Sequence, residues 1–258
     1  MYQTDLTEAP KSYINRTIPI AKRKRKFNIF VVLDAIFYIV KTGCQWRMLP
    51  SEFPKWQLVY YYFRRWSALD EFDYILKIFV EQTRLYKGQS PVPSLALVDS
   101  QSVKSALPAS EKGIDGNKKV KGIKRHVATD KNGYILSAQV TTVNVHDSKA
   151  AYALLVALSL EYPWIKKALA DSAYRGELGR LVKDYLGMDF EVVNSHFTGK
   201  GFVPIKKRWV VERTFAWLDN FRRLTRNYEE SPQSARNMLI VAAIILMLKH
   251  LPNINFHF

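Results

Sequence analysis

Between residues 87 and 93 the chain reads Lys-Gly-Gln-Ser-Pro-Val-Pro, and this stretch constrains the fold more than any other. Proline fixes φ and has no N–H to donate, so two prolines and a glycine this close together cannot carry a helix across. The apolar period differs on the two sides. Before the break, Ile29, Val32, Leu33, Ile36, Phe37 and Val40 follow the i, i+3, i+4, i+7 rule of a helix, and Gly43 stands where a left-handed residue would end it. Pro50 and Pro54 bracket a turn. Residues 55–68, rich in Trp and Tyr, predict a second helix, and 70–86 a third with Asp70 or Asp73 near its cap. A basic run, Lys22-Arg23-Lys24-Arg25-Lys26, leads into them. Three short helices with such a lead-in suit a helix-turn-helix type of unit; a plain helical bundle with a solvated basic arm is the alternative.

After the break the pattern is mixed. Residues 94–98 form a short apolar run ending at Asp99, the mark of a buried strand. Residues 122–130 and 134–145 alternate around Lys131-Asn132-Gly133, whose Asn-Gly pair signals a hairpin. Helices are expected at 149–160, 177–186, 207–228 and 232–251, and short strands at 164–170, ending at Asp171, and 190–193. Strand, hairpin, helix, strand, helix, strand, helix is a mixed α/β layout. Two domains follow, an all-α one over residues 1–90 and an α/β one over 91–258.

Composition narrows the class. Lys and Arg number 39 against 23 Asp and Glu, a net charge of +16 that asks for a polyanionic partner, nucleic acid first and an anionic membrane surface second. Cys44 is the single cysteine, which excludes a disulfide scaffold and a cysteine-rich zinc site. The longest unbroken apolar run, residues 238–248, is eleven long, where a membrane span needs about 20. The first residues lack the basic-then-apolar order of a signal peptide, so a reducing cytoplasm is the expected compartment.

Three acids stand out by placement. Asp99 and Asp171 each end an apolar strand, where ligands of open α/β sheets bind. Glu212 lies beside the stripe of Val211, Phe215 and Leu218 on a late helix. Hard divalent ions take oxygen ligands, and a pair of Mg²⁺ ions can clamp the attacking and leaving oxygens of a phosphoryl displacement. Spacing alone leaves a second reading open, in which the two aspartates are strand-end caps and Glu212 pairs with Arg208.

The surrounding words favour the first. In order they are Thr42-Gly43-Cys44-Gln45-Trp46-Arg47-Met48-Leu49-Pro50, Val98-Asp99-Ser100-Gln101-Ser102-Val103-Lys104, Gly116-Asn117-Lys118-Lys119-Val120-Lys121-Gly122-Ile123-Lys124-Arg125-His126, Asn144-Val145-His146-Asp147, Ala170-Asp171-Ser172-Ala173-Tyr174-Arg175-Gly176, and Arg208-Trp209-Val210-Val211-Glu212-Arg213-Thr214-Phe215-Ala216-Trp217-Leu218. Over nearly the whole chain this series resembles the IS5 family of bacterial insertion-sequence transposases, which is similar to the IS4 type. The resemblance implies a DDE transposase with a ribonuclease-H-like core, a mixed sheet flanked by helices, preceded by a small helix-turn-helix-like DNA-binding domain. Asp99, Asp171 and Glu212 match the three catalytic, metal-holding acids, and Arg208 the Arg four residues before the Glu. The IS4-type signature adds a Tyr and a Lys; here Ile205 and Asp219 occupy those positions, with Arg222 or Arg223 one turn later to supply the cation. Ser172-Ala173 stand where relatives often have two glycines. Only 40 residues separate Asp171 from Glu212, which leaves no room for the large insert some relatives carry there.

The implied chemistry is hydrolysis of a phosphodiester at the transposon end, then transesterification into target DNA, with two Mg²⁺ ions or Mn²⁺ in their place. The implied partners are double-stranded DNA, both inverted-repeat ends and target, and a second copy of the chain in a synaptic dimer or larger complex, without a membrane. Basic belts flank the acids: Lys104, Lys121, Lys124 and Arg125 in one, Arg208, Arg213, Arg222 and Arg223 in the other, all expected to meet phosphates. Trp217 is expected in the core rather than on a base, and His126 and His146 are not metal ligands by spacing. The rival functions are a non-catalytic DNA-binding descendant, a hydrolytic nuclease of the same fold and, more distantly, a membrane-surface protein.

Overall fold

The computed structural model describes residues 2–17, 27–106, 112–115, 119–193 and 208–251. The basic run 22–26 and residues 116–118 of the third motif lie outside them. In chain order the elements are α1 (Glu8–Thr17), α2 (Ile29–Thr42), α3 (Trp56–Ala68), α4 (Glu71–Tyr86), β1 (Leu95–Lys104), β2 (Gly113–Asp115), β3 (Val120–Thr129), β4 (Ile135–Thr142), α5 (Asp147–Glu161), β5 (Lys167–Ala170), α6 (Leu178–Leu186), β6 (Asp189–Val192), α7 (Arg208–Leu218), α8 (Arg222–Thr225) and α9 (Pro232–Leu248). No helix among the described residues is long and apolar enough to cross a membrane.

Two compact units result. The described residues within Met1–Pro91, Leu218–Arg226 and Asn237–Phe258 form the first, and those within Val92–Trp217 and Asn227–Arg236 the second. A single cut near residue 90 therefore does not divide the chain. Apolar segments beyond residue 217 return to the helical unit, and nothing local in the sequence marks that return.

In the helical unit, α2 starts at Asn28, whose side chain accepts from the N–H of Phe30, and stops at Gly43, which is left-handed at φ 73°. Glycine reaches that conformation without the clash a Cβ would bring. Nearly every side of α2 is buried, so the helix forms the middle of this unit. α3 packs on both α2 and α4, and Phe63 and Trp66 of α3 meet Phe72 of α4 at ring distances of 5.8 and 5.9 Å. Asp70 occupies the N-cap position of α4 but makes no side-chain cap. The helix expected over 207–228 breaks instead: α7 ends at Leu218 and α8 begins at Arg222. Phe221, between them, is 1% exposed. The break falls where the chain passes from the second unit into the first.

The second unit is built on a six-stranded sheet in the order β2-β3-β1-β5-β6, with β4 also on β3. β4 and β2 lie end to end along one edge of β3, because β4 reaches Ile123 and β2 takes up the pairing at Gly122. β1, β3 and β4 are mutually antiparallel, while β5 and β6 run parallel to β1. Three antiparallel strands in hairpin order, continued from the first by two parallel strands, is the ribonuclease-H-like arrangement. α5 makes the crossover and packs on β3 and β4. On the other face Val103, Ile123, Val140 and Ala235 form an apolar cluster.

One strand is longer than its apolar run. β1 continues through Asp99 to Lys104, paired throughout with β3. Its parallel partner β5 stops at Ala170. Asp99 thus sits where β1 loses a neighbour, not where β1 itself ends.

Candidate active site

Register brings the segments that carry the two aspartates together. β1 and β5 pair as Leu95↔Lys167, Ala96↔Ala168 and Leu97↔Leu169. Asp99 and Asp171 each lie two residues beyond the last pair of that ladder. Paired residues of neighbouring strands share a face, and neighbouring strands lie about 4.8 Å apart. Both residues are half-buried. Asp171 also caps the 3-10 turn Ser172–Tyr174 through an N–H bond from Ala173 at 2.9 Å. The Asp99 carboxylate accepts from the N–H of Ser100 at 2.7 Å.

Glu212 comes from α7. Val210, Val211, Thr214, Phe215 and Leu218 of that helix are buried, while Glu212 is exposed beside them. A small cavity is lined by Leu97, Val98, Leu169, Ala170, Asp171, Val193 and Val211. It sets the residue before Glu212 against the strand ends that carry the aspartates.

The β3–β4 turn pins α7. Asp130 accepts from the N–H groups of Asn132 and Tyr134 at 2.8 and 3.0 Å. Gly133 then takes φ 87°, and a Cβ there would lie 2.7 Å from Thr214 Oγ1. Thr214 donates to the carbonyl of Gly133 at 2.8 Å, and Arg213 to that of Asn132 at 2.8 Å. The Asn-Gly signal is therefore also a docking point for the helix of the third acid.

Among the described residues no three His, Cys, Asp or Glu side chains form a group able to hold a metal ion. The two aspartates do match a hard divalent cation in donor chemistry, being oxygen ligands. Tyr174 is 1% exposed, and its phenol is pushed up chiefly by burial; a hydrogen bond with Ser100 opposes the rise, and Asp99, Asp147 and Asp171 add to it.

The basic residues divide. Lys104, Lys121 and Arg222 are exposed. Lys124 and Arg125 are 5% and 2% exposed and cannot meet a phosphate from solvent. The ammonium of Lys124 lies 3.0 Å from Asp147 instead. Arg213 stands over the rings of Trp209 and Trp217 at 4.4 and 4.6 Å, its guanidinium engaged by the turn. Arg223 is 7% exposed and donates to the carbonyl of Cys44. All four are engaged within the fold, three of them buried and Arg213 half-buried. The position of β3 explains two of them: from Gly122 onward the strand lies between paired neighbours and its side chains are buried. The side chain of Arg208 lies outside the described residues. His126 is fully buried against Thr141 at 3.1 Å and pushed down to about 4 by desolvation. His146 caps α5.

Two residues carry no role in the sequence pattern alone. Asp147 and Tyr174 stand in the quoted motifs, yet only the fold gathers them around Ser100.

The family described as "Transposase DDE domain" matches residues 90–186 and 198–248. The chain belongs to that family. Residues 7–76 match a second description, "Putative transposase of IS4/5 family". A curated relative, "Putative transposase for insertion sequence element IS402" of Burkholderia cepacia, is 36% identical over 117 residues, 42% of this chain. The matched part spans 54% of that relative's length. The solved "Mos1 transposase paired-end complex with left transposon end" aligns over 91% of this chain and 82% of its own at 11% identity, with a TM-score of 0.27, too low to carry weight.

Proposed function

We propose that the chain is the transposase of a bacterial insertion sequence, cutting phosphodiesters at the element's ends and joining them to target DNA through Asp99, Asp171 and Glu212. The observation that carries this reading is that Asp99 and Asp171 each follow by two residues the last pair of the β1–β5 ladder, within a chain of the DDE family. Asp99 and Asp171, with Glu212 as the third, would hold divalent metal, for which Mg²⁺ is the first choice, two ions its expected number and Mn²⁺ a substitute. Such ions supply polarisation of the attacking oxygen and charge stabilisation at the leaving one. The chain's own residues then do the rest. The acids fix where the phosphate sits, and the apolar wall of Leu97, Leu169 and Val211 limits water beside it. Lys104 and Lys121, exposed near each other at the far end of the β1–β3 ladder, offer phosphate contacts along the approaching duplex. Arg222 offers one from the helical unit, which serves as the DNA-binding domain. Synapsis of two ends calls for two copies of the chain or more. The nucleoid of a bacterial cytoplasm is the matching location.

The test is cleavage of a duplex bearing the terminal repeats that flank the coding region, with Mg²⁺. Asp99→Ala, Asp171→Ala and Glu212→Ala are expected to lose cleavage and keep DNA binding. Cleavage retained by any one removes that residue's assigned role. Wild-type binding without cleavage would favour the non-catalytic descendant, and cleavage without joining the nuclease.

A further inference from the structure

Behind the face that carries Asp99 lies a second set of polar side chains. Ser100 follows Asp99 on β1 and so points to the opposite face. Its hydroxyl donates to Asp147 Oδ1 at 3.1 Å. Its backbone N–H donates to Asp99 Oδ1 at 2.7 Å. One residue therefore links the two carboxylates through the sheet. Asp147 is held in turn by Lys124 Nζ, 3.0 Å from Oδ1 and 3.2 Å from Oδ2. The buried ring of His126, paired across the ladder with Ser100, comes within 4.0 Å of the same oxygen. Tyr174 closes the group beside Ser100, and the electrostatic reach of Asp147 extends to its phenol. Asp147 is the first residue of α5, where a helix N-terminus favours negative charge.

This arrangement is poorly explained by stability. A lysine side chain only 6% exposed is expensive to bury, and its partner largely repays that cost rather than adding to it. What the pair does achieve is a fixed oxygen at the level of Ser100. We propose that Asp147 is a positioning residue for Asp99, acting through Ser100, a role that rests on the function proposed above. With its hydroxyl anchored, Ser100 holds the peptide N–H that engages one oxygen of Asp99. The other carboxylate oxygen is then aimed before metal or phosphate arrives. Groups that orient ligand carboxylates from behind commonly change metal affinity or activity by about 10-fold to 100-fold when lost. Lys124 holds Asp147 in place, which gives the buried lysine a purpose that phosphate contact could not.

The experiment uses the full chain. Ser100→Ala removes the link without changing charge or leaving Lys124 unpaired, so folding is preserved and the test does not depend on Asp147 variants surviving. Mn²⁺ binding to the DNA-free protein, read by electron paramagnetic resonance, is expected to weaken about tenfold, while the thermal midpoint stays within about 2 °C of wild type. Ser100→Thr, which keeps a hydroxyl, is expected to restore binding. Cleavage of the terminal-repeat duplex should fall in Ser100→Ala and in Asp147→Ala, and the double variant should be no worse than Asp147→Ala. Unchanged Mn²⁺ affinity in Ser100→Ala overturns the proposal, as do effects of the two variants that multiply. A wild-type chain that binds no Mn²⁺ overturns it too. If the wild type binds Mn²⁺ but cleaves nothing, the transposase reading fails alone, and the Mn²⁺ arm still decides the role of Ser100 and Asp147.

Discussion

Replacing Asp34 with asparagine should make the helical unit more stable at pH 8 than at pH 4 relative to wild type. Asp34 lies in α2 and is 6% exposed. Its Oδ1 accepts from the N–H of Leu6 at 2.7 Å, tying the first residues to α2. Burial pushes its carboxyl up from 3.8 to about 7. The Leu6 N–H and Lys11 oppose that rise, and Asp5 adds to it; Tyr2 and Glu52 line the same pocket. The sign follows from proton binding. Between pH 3.8 and about 7 the unfolded chain has lost this proton and the folded one retains it, so stability falls as pH rises through that window. At about 1.36 kcal/mol per pH unit the loss sums to about 4 kcal/mol and is complete above pH 7. The asparagine side chain would keep an oxygen for Leu6 and lose the titration. Its amide N–H₂ carries a burial cost of about 1–3 kcal/mol, but that cost is the same at every pH. Urea unfolding of wild type and Asp34→Asn, followed by tryptophan fluorescence at pH 4 and pH 8, isolates the titrating part as the change in their difference. A difference that stays constant within about 1 kcal/mol would refute the reasoning.

Three further outcomes follow from packing and titration. Gly122→Ala would put a Cβ 2.0 Å from the carbonyl of Val103, so the β1–β3 ladder should open; urea unfolding should show a loss above about 3 kcal/mol. Gly133→Ala meets both a positive φ and Thr214, and should cost about 2–3 kcal/mol by the same measurement while reducing cleavage by unseating the Glu212 helix. His126, pushed down to about 4 by burial, should stay neutral from pH 8 to about pH 5 when the ring resonances of the five histidines are titrated by NMR. Because its folded value lies below the unfolded one, acid should remove stability as pH falls from about 6.5 to 4; a ring that titrates near 6.5 contradicts the buried placement.

Much of the fold is legible in local pattern because local rules dominate where a segment has one apolar face. The 3.6-residue period of α2, its Gly43 stop and the Asn-Gly hairpin all reappear at their expected places. The rule fails where partners outvote it. β1 runs on past its apolar stretch because β3 continues to offer hydrogen bonds to Ser100, Gln101 and Ser102. The helix across 207–228 breaks because Phe221 and Leu224 are buried in a different unit from Val211 and Phe215. The cations expected at phosphates show the largest departure. Counting Lys and Arg near the acids cannot separate Lys104, which is exposed, from Lys124, which is 5% exposed.

By itself, the sequence determined most of the element types, the net positive charge and the three acids worth testing, since period, turn chemistry and motif order are properties of neighbours along the chain. The tertiary structure alone decided which residues share a face. The β1–β5 ladder brings the segments that carry Asp99 and Asp171 side by side, and alternation along β1 turns Ser100 away from Asp99 toward Asp147. That pairing depends on hydrogen bonds between strands some seventy residues apart, and no local signal encodes it.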